Sequence, residues 1–262
     1  VPGPAPTGRE APSEVAPAAP VARKGKDPLL AGICHDLRAP LAAVMMGANF
    51  VFQTTPDDES TARSRRVLAA MLRSCKQMER LIRDFGDLSE IEGDTVELRV
   101  NVHDAGELLE LAAEGARTEA AAHDVTITIQ PPPATLHVTC DRDRLLRALG
   151  HVVDNAVRFS SAGGEVSLTA AAETNGEVNV RFSVTDHGPG ISEETMAHLY
   201  ERAWHTKQPT RSGAGLGLAI ARGMVRAHGG RLEVDTGPAG TSVDLVVPKD
   251  APLATPEPDL HH

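Results

Sequence analysis

Four short runs in this sequence carry residue types that could do chemistry together. The first is Cys34-His35-Asp36-Leu37-Arg38-Ala39-Pro40-Leu41. A neutral imidazole keeps one ring nitrogen with a free lone pair, able to attack phosphorus. Asp36 is next to His35 and could accept the other ring N–H, fixing the tautomer and stabilising the cation that forms. Read alone, a surface histidine beside an acid is commonplace on solvated faces. The second run, His151-Val152-Val153-Asp154-Asn155-Ala156-Val157-Arg158-Phe159, reads as a helix with 151, 155 and 158 on one face. Asn155 can offer a carbonyl oxygen to Mg²⁺, a hard ion that prefers oxygen. Arg158, one turn on, can meet a phosphate.

The third run, Thr185-Asp186-His187-Gly188-Pro189-Gly190, directly follows a strand pattern. Asp186 could accept a hydrogen bond from an adenine amino group, while Gly188 and Gly190 let the backbone pass close to a base. The fourth is Arg211-Ser212-Gly213-Ala214-Gly215-Leu216-Gly217-Leu218, opening a helix. Glycines at alternate positions leave backbone N–H groups free to cradle phosphates at a helix N-terminus. The run is not GxxxxGK[ST], so it is no Walker loop. No following acidic residue completes a βαβ dinucleotide fingerprint.

The elements that must position these residues follow from spacing. Leu30, Ile33/Cys34, Leu37, Leu41 and Val44 form a three-to-four stripe over 28–53, and Val67, Met71, Cys75, Met78, Leu81/Ile82, Phe85 and Leu88 form a second. A turn at 54–58 with Pro56 joins them into a helical hairpin. One hairpin leaves apolar surface bare. Two from two chains would close a four-helix bundle, so we expect a homodimer. After Gly93 strand patterns appear at Thr95–Val100, Val125–Gln130, Leu136–Cys140, Glu165–Ala170, Val178–Thr185, Arg231–Asp235 and Thr241–Val247, with helical ones at about 104–122, 141–159, 192–202 and 215–228. The expected class is α+β: a hairpin at 28–94, then an α/β sandwich at 95–248. Residues 1–27, with six Pro and six Ala, cannot bury enough surface to order themselves and read as a disordered linker, as does the tail 249–262.

Bulk properties narrow the class. A net charge of −10 argues against a general nucleic-acid binder but leaves a single nucleotide site open. Cys34, Cys75 and Cys140 form no CxxC pair, so neither a disulfide framework nor a structural metal is expected. Cys34 beside His35 invites a redox role, but a buried free cysteine is ordinarily a small hydrophobe. No apolar run reaches the length of a membrane span, so no direct membrane insertion is expected. Residue 1 is Val, so we expect a piece of a longer protein that could carry a sensor or membrane anchor upstream; the lone cysteines fit a reducing compartment, and a cytoplasmic location is expected for this part.

Order and spacing carry more than any single run. HDLRAPL, the VVDNAVRF helix, DHGPG and GAGLGL resemble, in that order, the H, N, G1 and G2 boxes of the sensor histidine kinases of two-component systems. Leu199-Tyr200-Glu201-Arg202-Ala203-Trp204 is similar to the family's F box, and His228-Gly229-Gly230 with Gly240-Thr241 to its closing strands. The resemblance covers about 28–248. It implies a dimerisation and phosphotransfer hairpin followed by an ATP-binding domain of the Bergerat (GHKL) fold. It implies His35 as phosphoacceptor, Asp36 as its acid/base partner, and Asn155 as Mg²⁺ ligand. Arg158 would meet phosphate, Asp186 and Thr241 the adenine, and Gly188 and Gly190 the base pocket. Gly213, Gly215 and Gly217 would hold the phosphates, under a mobile lid with Lys207 and Arg211. It also implies ATP as cosubstrate and a response regulator receiver domain as partner. Catalysis would need the two domains to meet, with a hinge around Ile91–Asp94.

Two residues depart from the pattern. The family usually has Asn at position 151, where this chain has His151. That leaves open a weaker metal site, a nitrogen ligand from His151, or a catalytically silent relative serving as a dimeric signalling scaffold. Another ATPase of the same fold, of the chaperone, gyrase or mismatch-repair type, lacks a phosphoacceptor helix. The family often has Thr or Asn four residues past the phosphoacceptor, where this chain has Ala39. Alanine cannot orient water, so weak phosphatase activity is expected.

Overall fold

The computed structural model describes residues 28–175, 177–197, 199 and 216–250, with the side chains of 28–31, 35, 175 and 177 outside the description. Helix α1 (Pro28–Thr54) and helix α2 (Ala62–Glu92) form the expected hairpin. Cys34, Leu41 and Ala48 of α1 and Leu72 and Cys75 of α2 are its buried stripe. Pro40 lies inside α1, which continues through it. The turn is held by Arg65, whose Nη1 donates to the carbonyls of Phe52 (3.1 Å) and Thr55 (2.6 Å), so a side chain satisfies carbonyls that the end of α1 leaves unpaired.

Next come β1 (Asn101–Asp104), α3 (Ala105–Ala122), β2 (Thr126–Gln130), β3 (His137–Cys140) and α4 (Arg142–Phe159). They are followed by β4 (Glu165–Asn175), β5 (Glu177–Asp186), α5 (Glu193–Ala197), α6 (Gly217–Ala227), β6 (Arg231–Gly237) and β7 (Gly240–Pro248). Five strands form one mixed sheet in the order β2-β4-β5-β7-β6, with β2 parallel to β4 and the other pairs antiparallel. β1 and β3 make a separate antiparallel pair. Helices α3, α4 and α6 bury Leu108, Leu109, Leu145, Leu149, Ile220 and Met224 against Phe182 and Leu245 of the sheet. Burial on that scale is the main favourable contribution to folding.

Both long sandwich helices that follow a strand start on an aspartate. Asp104 Oδ1 accepts the N–H of Glu107 at 3.0 Å, and Asp141 Oδ1 that of Arg144 at 3.0 Å. Each satisfies an N–H that a helix start leaves unpaired.

Three expectations need correcting. Thr95–Val100 is not a strand; the Arg99 N–H donates at 2.7 Å to the Asp141 carboxylate instead of a ladder, and pairing begins at Asn101. Of the helix expected over 192–202, α5 covers only Glu193–Ala197, and 198 and 200–202 lie outside the described residues. Lys249 is not tail: its N–H donates to the Val178 carbonyl of β5 (3.0 Å) and its carbonyl accepts from the Thr139 N–H of β3 (2.8 Å), linking the sheet to the separate strand pair.

The end of α2 belongs physically to the sandwich. Leu88 is buried in the sandwich core, with Phe85 and Ile91 packed against it. α2 then stops at Gly93, and Asp94 takes a left-handed φ of 52° as the chain turns away.

Candidate active site

A cleft of about 440 Å³ opens between α4 and the ends of β5 and β7. Val152, Val184 and Val243 make it apolar, and Asn155, Asp186 and Thr241 supply the polar groups. An apolar slot with a few placed polar atoms suits a flat aromatic base carrying a polar tail.

The register of β5 on β7 places Asp186 opposite Thr241, so the G1 aspartate and the closing-strand threonine meet at one end of the cleft. Both are buried. Asp186 Oδ1 accepts the Gly188 N–H at 2.8 Å, which folds the loop back over its own acid. Burial raises the Asp186 carboxyl, opposed by hydrogen bonds from the Gly188 and Thr241 backbones and by the charge of His187. The Thr241 hydroxyl shares a hydrogen bond of 3.0 Å with Thr236, whose Oγ1 also accepts the Ile191 N–H at 2.9 Å. Gly188 and Gly190 are needed for different reasons. A Cβ on Gly188 would stand 2.6 Å from the Phe159 carbonyl, and Gly190 has a φ of +76°.

Asn155 and Arg158 line the same cleft from α4. The Arg158 guanidinium lies 4.8 Å over the Phe159 ring. Burial lowers its affinity for the proton, and the nearby charge of Arg80 adds to that. An amide oxygen one helical turn from a guanidinium fits the donor set for a hydrated Mg²⁺ and a phosphate. Gly217 starts α6 beside the cleft, whereas Lys207, Arg211, Gly213 and Gly215 lie outside the described residues. His35 and the exposed Asp36 lie on α1, away from the sandwich in sequence.

His151 does not line the cleft. It is wedged between the start of α6 and helix α2, its Nδ1 3.3 Å from where a Gly217 Cβ would stand and its Nε2 3.5 Å from Asp84. Burial, reinforced by Arg80, Arg147 and Arg83, pushes its pKa down to about 4, so the imidazole is neutral at pH 7. A nitrogen ligand from His151 at the cleft is therefore not what the fold provides. Asp84, Asp87 and His151 are the one group among the described residues with ligand-like proximity, but Arg144 and Arg147 pair with Asp87. Cations already fill that place.

Sequence reasoning missed this charged seam between α2 and α4. Arg80 pairs with Asp154, Asp87 with Arg144 and Arg147, and Glu90 with Arg144 at 2.7 Å. The signal was present in the three-to-four spacing of Arg80, Asp84 and Asp87, a polar stripe along an otherwise amphipathic helix. All three cysteines are buried and unpaired, and burial with Asp141 nearby pushes the Cys140 thiol up to about 12, which makes it inert.

A hairpin bearing His-Asp, followed by a sandwich whose cleft presents Asn, Arg, Asp and glycine loops, defines a phosphoacceptor domain joined to an ATP-binding domain. Residues 26–94 match the His Kinase A (phospho-acceptor) domain, and residues 140–251 the family of histidine kinase-, DNA gyrase B- and HSP90-like ATPases. The chain is 33% identical over 241 residues to histidine protein kinase DivJ of Caulobacter vibrioides, covering 89% of this chain and 40% of DivJ. It is 28% identical over 228 residues to signal transduction histidine-protein kinase BaeS of Escherichia coli, covering 86% of this chain and 47% of BaeS. The crystal structure of full-length ShkA in complex with AMPPNP superposes with a TM-score of 0.69 at 30% identity, over 87% of this chain and 47% of ShkA. The chain belongs to the sensor histidine kinase family. It spans less than half the length of each of these three relatives. No helix among the described residues is long and apolar enough to cross a membrane.

Proposed function

We propose that this chain autophosphorylates on His35 with the γ-phosphate of ATP and passes the phosphoryl group to an aspartate of a response regulator receiver domain. The observation that carries the reading is the cleft, where Asn155, Arg158, Asp186 and Thr241 converge in a domain that follows a His-Asp hairpin. Asp186 accepts the adenine amino hydrogen, and the valine-lined walls exclude water around the base. Asn155 would hold Mg²⁺, which would supply charge to neutralise the phosphates. Arg158 faces the triphosphate. The His35 imidazole attacks the γ-phosphorus; an N–P bond forms as the P–O bond to ADP breaks, and Asp36 stabilises the ring N–H. Such a reaction asks the protein for positioning and charge neutralisation rather than further covalent chemistry.

A homodimer is part of the proposal. Ile33, Leu37, Val44 and Val51 of α1 and Val67, Met71 and Met78 of α2 are exposed and fall at helical spacing, an apolar face that a second hairpin would cover. A cytoplasmic location, weak phosphatase activity from the exposed Ala39, and Lys207, Arg211, Gly213 and Gly215 as phosphate contacts complete the reading. The scaffold alternative rested on His151, and that residue faces α2 rather than the cleft.

The test is incubation with γ-labelled ATP and Mg²⁺. Acid-labile, base-stable label on wild type, absent from His35→Ala and Asn155→Ala, is expected. An unlabelled wild type that still fails to bind AMPPNP would restore the scaffold reading.

A further inference from the structure

Helix α2 touches both halves of the reaction at neighbouring residues. Gly86 meets the phosphoacceptor helix, where Arg38 Nη2 lies 3.2 Å from the position of a Gly86 Cβ. Arg38 is three residues past His35, about 4.5 Å along the helix axis. The next residue, Asp87, meets the ATP-binding domain at Arg144 and Arg147. The charged seam thus lies at the level of the phosphoacceptor on the hairpin.

On α4 the seam and the cleft use adjacent edges. Arg144, Arg147, His151 and Asp154 face α2, while Val152, Asn155 and Ala156 line the cleft on the flank beside them, Asn155 lying one turn past His151. Arg80 grips Asp154, the residue immediately before the proposed Mg²⁺ ligand. Whatever fixes this edge of α4 against α2 fixes the direction of the cleft.

The composition of the seam also suits orientation better than adhesion. Asp87 is 4% exposed, so its charge is desolvated, and a buried ion pair adds little net stability. It does specify one geometry, because a mispaired buried charge is costly. The adhesive part is apolar and lies beside it, at Leu88 and Ile91.

We propose that the seam positions the ATP-binding domain for phosphoryl transfer: Arg80 and Asp87, gripping Asp154, Arg144 and Arg147, hold the cleft at the level of His35. This rests on the kinase reading above. Arg80 and Asp87 are positioning residues, acting through α4. In a two-fold dimer both His35 residues lie at the same level of the bundle, so the seam serves transfer within or between subunits.

The test uses the full chain with Arg80→Glu, Asp154→Arg and the double exchange. Arg80 is half-exposed, so its replacement spares the core. Three quantities are read: the rate of labelling at saturating Mg·ATP, AMPPNP affinity by calorimetry, and maximum dimension by solution scattering. Arg80→Glu is expected to slow labelling about tenfold or more, because small misplacements are costly in positioned reactions. AMPPNP affinity should stay within about twofold, and the particle should extend. The double exchange should recover both rate and compactness, which simple loss of stability would not do. Labelling by Arg80→Glu at the wild-type rate or faster would overturn the proposal, making the seam idle or a brake. AMPPNP affinity falling in step with rate would also overturn it, placing Arg80 in the nucleotide site. An unlabelled wild type would instead sink the kinase reading. Unchanged dimensions in Arg80→Glu would then sink the seam as well.

Discussion

Ile91 lies against the bare Cα of Gly223: a methyl group built there would stand 2.5 to 2.8 Å from three Ile91 carbons. The contact joins the last turn of α2 to α6, the helix that begins at Gly217. Ile91–Asp94, expected as a hinge, is therefore seated on the ATP-binding domain at its first residue. In an exposed helix interior, Gly→Ala stabilises by ~1 kcal/mol. Here Gly223→Ala should instead destabilise by ~1–3 kcal/mol, because the added carbon must displace a packed isoleucine. A thermal melt checks this. A melting temperature equal to or above wild type would show that Ile91 is not seated on α6.

Two buried groups on the seam should pull stability in opposite directions as pH falls. His151 is held at about 4 against an ordinary 6.5, mainly by burial. The unfolded chain takes up that proton first. Its contribution is thus full above about 6.5 and lost as pH falls through about 4, ~3 kcal/mol in all. Burial raises Asp87 from 3.8 to about 6, outweighing the attraction of Arg147 and Arg144. The folded protein takes up this proton first. Its contribution is full below 3.8 and lost as pH rises through about 6, also ~3 kcal/mol. Relative to wild type, Asp87→Asn should expose the loss on acidification and His151→Asn the gain. Denaturant titrations from pH 4 to 7 measure both differences; curves that stay parallel to wild type would contradict the assignment.

These features divide by what a local pattern can record. Helices α1 and α2 were legible because Leu37, Leu41, Met71 and Cys75 repeat at helical spacing. The cleft was legible because Asn155, Asp186 and Gly188 sit in short runs whose order is distinctive. Thr95–Val100 misled because its alternation is real while its hydrogen-bond partner is a side chain 42 residues away, Asp141. The seam was half legible: the stripe on α2 is visible, but nothing near it says that Arg144, Arg147 and Asp154 receive it. His151 looked like a damaged metal site because position alone does not tell which residues of α4 line the cleft.

Asp186 should separate binding from stability. Its carboxyl is buried and raised, so a neutral isostere removes an unfavourable charge from the fold. Asp186→Asn should leave the melting temperature unchanged or higher. AMPPNP affinity should nevertheless fall about 10- to 100-fold, or ~1.4–3 kcal/mol, because the amide can turn a donor toward the adenine amino group. Calorimetry beside a melt reads both. Unimpaired binding would remove Asp186 from the base pocket.

His228 ties the far end of α6 to the start of α4. Its Nε2 accepts the Asp141 backbone N–H at 3.0 Å and its Nδ1–H donates to the Met224 carbonyl at 2.8 Å, so both partners together require hydrogen on Nδ1. The ring is 5% exposed, and Asp141 is the residue whose carboxylate caps α4 and also holds the Arg99 N–H. His228→Ala leaves the Asp141 N–H unpaired where water has little access, a penalty of ~1–3 kcal/mol, and adds a cavity. At about 2–4 °C per kcal/mol, the melting temperature should fall by several degrees. His228→Gln, whose amide oxygen can reach toward Asp141, should recover part of the loss. Equal melting of His228→Ala and wild type would mean that the α4 start is anchored by its aspartate cap alone. The cleft would then owe its shape to the sheet and not to this cross-link.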